Sequence, residues 1–139
     1  MYDQEDGKID GISVAGKINR EPKEVYKTLV TQGKSNGIHV FVIPVEEELD
    51  LKKAAKAASE KKVEMVAVKD IQKLTGYIRG GCSPIGMKKV YPTFIDESAE
   101  NLSSMIVSGG RIGLQIEISP THLQSITNGQ LVHIVKEKD

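Results

Sequence analysis

Residues 38–58 read "IHVFVIPVEEELDLKKAAKAA", and within them the hydrophobic pattern changes its period. From Ile38 to Val45 the apolar residues crowd both faces, as in a central strand covered on either side. From Leu51 onward, Leu51, Ala54, Ala55 and Ala58 recur at helical spacing, and Asp50 stands where a side-chain oxygen caps the first turn. A buried strand running into a capped helix is the start of a layered fold, and the flanking segments decide which one.

Downstream, "VEMVAV" (63–68) predicts a strand and "DIQKLTG" (70–76) a short helix ended by Gly76. "YPTFID" (91–96) predicts another strand. "SMIVSGGRIGLQIEIS" (104–119) predicts a hairpin turning near Gly109–Gly110, since Leu114, Ile116 and Ile118 alternate with Gln115 and Glu117. "SPTHLQSITNG" (119–129) carries a capping serine, a proline at N1 and a closing Asn-Gly, hence a compact helix; "LVHIV" (131–135) predicts the last strand. Upstream, "GKSNG" (33–37) is a turn cluster, and "PKEVYKTLVT" (22–31) predicts a helix entered at Pro22. Val25, Leu29 and Val30 form its stripe, with Lys27 to one side. Strands with short interspersed helices make an α+β domain, expected to occupy residues 1–139 as a single unit.

Lysines and arginines balance aspartates and glutamates at 19 each, so nucleic-acid contact has to rest on a local patch. The Lys52–Lys62 segment is one such patch, although runs of this kind are ordinarily a solvated face. One cysteine excludes an internal disulfide and accords with a reducing compartment. The opening "MYDQEDGKID" is too acidic for a signal peptide, and no apolar run reaches membrane-spanning length. The expectation is a soluble cytoplasmic protein with no membrane partner.

The chemistry concentrates in "TGYIRGGCSPIGMKK" (75–89), which holds four glycines, a proline, the single cysteine and three cations. It fits neither a P-loop nor a dinucleotide fingerprint. Its paired glycines nevertheless let a ligand approach the main chain, whose exposed groups can grip an amine or carboxylate. As a nucleophile Cys82 needs a partner, and His39, His122 and His133 declare none by spacing; a small apolar filler is the favoured reading. The same histidines lack metal-ligand spacing with Cys82, so no metal site is expected. Lys27 beside Thr28 can hold phosphate or ribose as a compact charge, and becomes a base only if burial lowers its pKa from about 10.4. Ser108, before Gly109, either meets a ligand or caps a turn.

Taken in order, "VYKTL" (25–29), "LDLKKAAKA" (49–57), "KKVEM" (61–65), "TGYIRGGCSPIGMKK" (75–89), "FIDESA" (94–99) and "VSGGRIGLQIEISP" (107–120) resemble the YbaK/EbsC family of aminoacyl-tRNA deacylases. The family is similar to the editing domain of prolyl-tRNA synthetases. The resemblance implies a mixed β-sheet curled into a partial barrel with surrounding helices, and trans-editing of a mischarged tRNA, most typically Cys-tRNA(Pro), without a cofactor. It places the essential lysine at Lys27 and a tyrosine at Tyr2. The substrate-gripping glycine falls at Gly80 beside Gly81, and the pocket serine at Ser108. Thr28, Ser83 and Gly109 complete the implied binding set. Partners are aminoacyl-tRNA and, by implication, prolyl-tRNA synthetase. The chain starts at the tyrosine that a helix of some twenty residues normally precedes in the family, so the expectation is a domain lacking that helix. Gln115 stands where some members carry aspartate. Other readings are deacylation of a different mischarged tRNA such as Ala-tRNA(Pro), a non-catalytic module for an aminoacyl or nucleotide ligand, and an interaction protein that docks on a synthetase.

Overall fold

The computed structural model describes residues 24–35, 37–77, 82–87, 91–110 and 114–137. Strand β1, Tyr26–Gly33, runs antiparallel to β2, Ile38–Pro44, with Tyr26 opposite Pro44 and Gln32 opposite Ile38. This corrects the helix expected over 22–31. Tyr26, Thr28, Val30 and Thr31 are aromatic or β-branched, which suits a pleated surface, and the β2 ladder is within reach through a short turn. The spacing of Val25 and Leu29 is compatible with a helix only in the absence of that neighbour.

Helix α1, Leu51–Ala57, follows β2, and the Asp50 carboxylate caps it by accepting from the Lys52 and Lys53 amides. Strand β3, Val63–Met65, pairs antiparallel with β1. It is shorter than the expected 63–68 because Val68 already opens α2, Val68–Thr75, which Gly76 ends in the left-handed region. Strand β4, Thr93–Asp96, lies parallel to β2 and leads into a 3-10 turn, Glu97–Asn101. The hairpin consists of β5, Met105–Ser108, and β6, Gln115–Ile118. Helix α3, Pro120–Thr127, is capped by Ser119 as expected. Strand β7, Gln130–Val132, pairs parallel with β4; His133 lies beyond it, where the sequence placed it inside the final strand.

The main sheet has the mixed order β3-β1-β2-β4-β7, and the β5–β6 hairpin forms a second sheet. A parallel bridge from Val25 to Ile106 links the two, and an antiparallel bridge from Leu49 to Val135 fastens the far side. The result is a mixed sheet with helices, matching the expected α+β architecture and, among the described residues, not closed into a barrel. Among the described residues no helix is long and apolar enough to cross a membrane.

Alternation along the strands divides the core in two. Leu29, Phe41, Ile43 and Phe94 pack on one side with Ala54 and Ala55 of α1. Tyr26, Val42 and Ile95 pack on the other with Met105 and Val107 of the hairpin and Leu123 of α3. Phe41 and Phe94 are register partners and stack with centroids 5.2 Å apart. Asp96 is buried between elements, accepting from Ser98 N–H at 3.1 Å and from Ile134 N–H at 3.2 Å. Phe41→Ala removes the centre of the first cluster. It should cost about 3–5 kcal/mol, read as a fall in the urea midpoint with little change in slope.

Candidate active site

The bridge between the sheets also builds the site. Val25 sits beside Val45, whose N–H donates to the Val25 carbonyl at 2.9 Å, and bridges Ile106 on its other side. The three side chains form one apolar row. Two residues further along these parallel segments are Lys27 on β1 and Ser108 on β5, so the period of two puts both on the face of that row.

Lys27 is partly buried, and dehydration holds its ammonium below the usual lysine range. The carboxylates of Glu48 and Glu47 pull in the other direction and keep the shift moderate. Sequence reasoning missed both glutamates; their signal was the run "EEE" following the strand that pairs with β1.

Thr28 lies on the opposite face of β1 from Lys27, and its Oγ1 is buried without a hydrogen-bond partner among the described residues. The pair is thus divided between two faces. Ser83 is buried, with its hydroxyl accepting from Ile85 N–H at 3.2 Å, so it shapes the loop. Ser108 Oγ accepts from Gly110 N–H at 3.3 Å, and Gly109 N–H donates to Leu114 O at 2.7 Å, closing the hairpin behind Ser108. Tyr2, Gly80 and Gly81 lie outside the described residues.

Cys82 is buried against Val30 and Val66. Burial pushes its thiol up to about 11, with the Thr75 hydroxyl acting weakly in the opposite sense. Such a sulfur is protonated at neutral pH and is a poor nucleophile. Among the described residues no cluster of histidine, cysteine and carboxylate could hold a metal ion.

Tyr77 was not singled out from the sequence, although it stands inside the glycine-rich motif. Its hydroxyl donates to Ile85 O at 2.6 Å. Its N–H donates to Thr75 Oγ1 at 3.0 Å. Gly86 and Gly110, at φ 74° and 111°, press against it from two loops. A methyl group at Gly86 would meet the Tyr77 hydroxyl at 3.0 Å, and one at Gly110 would meet its ring at 3.1 Å. Tyr77 therefore fixes the glycine-rich loop against the turn that follows Ser108. Tyr77→Phe should leave the ring in place but free the loop. The expected outcome is a loss of about 1 kcal/mol in chemical denaturation, with faster amide exchange at residues 82–87.

A cleft of about 650 Å³ opens at the start of β1, lined in part by Tyr26 and by Glu46, Glu47, Asp96, Glu97 and Glu100. Five carboxylates in one hollow repel phosphate, so this is not where a polynucleotide rests.

The sequence model of the aminoacyl-tRNA editing domain matches residues 10–126. A protein of Enterococcus faecalis named as a Cys-tRNA(Pro)/Cys-tRNA(Cys) deacylase, EbsC, is 52% identical over 126 residues, covering 91% of this chain and 77% of the relative. Among solved structures, one described as a trans-editing enzyme for prolyl tRNA synthetase superposes with a TM-score of 0.85 at 22% identity, covering 91% of this chain and 80% of that one. A second, of a hypothetical protein, gives 0.86 at 22% identity over 93% and 85%. At that identity the two structures speak for the fold.

Proposed function

Because this chain belongs to the aminoacyl-tRNA editing domain family, we propose that it is a cytoplasmic deacylase acting in trans on mischarged tRNA, with Cys-tRNA(Pro) its substrate. What supports the mechanism is the partly buried Lys27, with no activated protein nucleophile among the described residues. The 52% identity to a relative named for cysteinyl-tRNA supports the choice of amino acid. The need is physical as well: cysteine and proline are close in volume, so a synthetase pocket rejects cysteine weakly and a second sieve is required.

The substrate supplies its own nucleophile. The cysteinyl thiolate attacks its ester carbonyl carbon and a C–S bond forms. The ester C–O bond breaks, and its electron pair leaves on the ribose oxygen of the terminal adenosine, which takes a proton from water. The products are free tRNA and a small thiolactone that water opens to cysteine. What the protein contributes is geometry, and intramolecular attack gains most from correct placement. The Lys27 ammonium holds the terminal phosphate or ribose and faces the charge developing on the leaving oxygen. Ser108 and Gly109 form one wall, Tyr2 another, and the backbone of Gly80 and Gly81 holds the α-amino group. Thr28 and Ser83 support that wall from behind. Prolyl-tRNA synthetase, handing over its product, supplies affinity that a chain without net charge lacks.

Following ester loss from Cys-, Ala- and Pro-tRNA(Pro) tests the reading. Cys-tRNA(Pro) should be cleaved, Pro-tRNA(Pro) spared, and Cys82→Ala should stay within about 2-fold of the parent. Preferential loss of Ala-tRNA(Pro) would overturn the substrate; a silent wild type would overturn the activity. Lys27→Met should lose roughly 10²–10³-fold in rate. Its stability tells the same story with a definite sign. A lysine with a depressed pKa in the fold destabilises it while protonated, a cost present at neutral pH that fades as pH rises through the folded pKa. Thermal unfolding of Lys27→Met at pH 7 should therefore come at an equal or higher temperature.

The pH profile should be bell-shaped. Its rising limb follows the substrate thiol, near pH 8.5 when unperturbed, and its falling limb follows loss of the Lys27 proton, below the ordinary 10.4 or so. Glu48→Gln removes a carboxylate that favours the ammonium, so it should move the falling limb to lower pH. Lys27→Arg, which stays charged, should abolish that limb at a reduced maximum rate.

A further inference from the structure

The chain carries no net charge, yet its charges are sorted across the main sheet, whose edges are β3 and β7. On the exposed side of α1, Lys52 stands in the first turn, next to the Lys53 that donates to Val135 O, and Lys56 stands one turn further along. Lys61 and Lys62 occupy the exposed turn into β3. Lys34 joins them from the β1–β2 turn, its N–H donating to the Lys62 carbonyl at 3.0 Å. Lys69 and Lys73 lie one turn apart on the exposed side of α2. Lys53 apart, none of these lysines enters an ion pair among the described residues.

Helix α1 packs on the side of the sheet that holds Leu29, and α2 on the side that holds Val30, so the lysines wrap around the edge from one face to the other. Few carboxylates answer them. Glu60 is engaged by the Ser35 hydroxyl at 2.6 Å and by His39 Nε2 at 3.1 Å, which leaves Glu64 and Asp70. The carboxylate-lined cleft stands at the other end of the strands, lined by Tyr26 at the start of β1, Pro44 at the end of β2 and Asp96 at the end of β4.

We propose that this lysine rim is the docking surface for the tRNA backbone, separate from the site that holds the aminoacyl end; that the RNA is tRNA rests on the deacylase reading. The charge complementarity is local and one-sided. Lysines on flexible stems meet phosphates as point charges without reading bases, which suits an enzyme that must hold the body of a tRNA. The geometry connects the two contacts. β3 pairs with β1 at Thr31, four residues from Lys27, or about 13 Å along the strand, so the rim borders the strand that carries the site. The acidic cleft repels the same polyanion, and the two together fix its orientation.

The test uses deacylated tRNA(Pro) as the probe and needs no hydrolysis. Binding is measured between about 50 and 200 mM salt for the parent, for the quadruple variant K52Q/K56Q/K61Q/K62Q, and for Lys136→Gln near the acidic cleft as a control. The quadruple variant should bind at least about 10-fold more weakly at low salt, with a salt slope shallower by about one for each lysine that meets a phosphate. Its turnover of a small cysteinyl ester should stay within about 2-fold, because no variant residue touches the reacting atoms. Unchanged affinity and slope in the quadruple variant, or an equal loss per charge in Lys136→Gln, would overturn the rim. So would a rim that proves to serve pairing of two copies, basic rim on acidic cleft, lost in the variant by sedimentation while RNA binding persists. The two proposals fail separately. A parent that cleaves no ester but binds RNA through the rim defeats the deacylase alone, and a parent that cleaves esters with RNA affinity indifferent to the lysines defeats the rim alone.

Discussion

Val25 accepts a main-chain hydrogen bond from Val45 on one side and bridges to Ile106 on the other, and this row ties the entry of β1 to the β5–β6 hairpin. The residue that leads into β1 thereby touches both sheets. Without the bridge the β5–β6 hairpin would lean on the main sheet only through side chains such as Met105 and Val107. A main-chain bridge between two sheets holds their relation more firmly than loop packing does. A lysine held in this way can be partly dehydrated without being free to turn back into water.

That dehydration is what the proposed chemistry uses. A solvated lysine is hydrated by water that would have to be displaced for each substrate phosphate. A lysine already stripped of part of its shell, and kept cationic by Glu48 and Glu47 nearby, has met that cost during folding. The protein contributes position and charge, and the reactive sulfur arrives with the substrate. Cys82 fits the same logic from the other side. Had its thiol been exposed and lowered in pKa, it would have competed with the substrate thiol for the ester carbonyl; buried, with its pKa pushed up to about 11, it is inert.

Much of this was legible in the sequence where a single physical signal dominated. The doubly apolar run of β2, the Asp50 cap, the Ser119-Pro120 start and the alternation in β6 all gave the right element. The failure was β1. Val25, Leu29 and Val30 satisfy a helical stripe, and only the ladder with β2 and β3, a non-local fact, decides for a strand. The consequence for the site was larger than for the fold. A helix would have set Lys27 to one side of a solvated flank, and would not have separated it from Thr28 by half a turn of pleat. Tyr77 was illegible for a different reason. Its importance comes from two left-handed glycines in loops far apart in sequence, Gly86 and Gly110, which converge on one ring only in three dimensions.

Charge was the quantity that composition misrepresented most. A balance of 19 against 19 says that no long-range field draws RNA to this chain, and it is silent on how the field is distributed. The strand pairing supplies the missing information. Because β3 pairs with the far end of β1, Lys34, Lys61 and Lys62 stand at one end of that strand and the carboxylates of the cleft at the other. The molecule then has a strong local dipole and no net charge. For the deacylase proposed above, that arrangement has a specific merit. Net positive charge would hold every tRNA, correctly charged or not, whereas the proposed one-sided rim would orient an RNA already brought close and leave discrimination to the site proposed at Lys27. Orientation and selection are then carried by different residues, and each can be altered without disturbing the other.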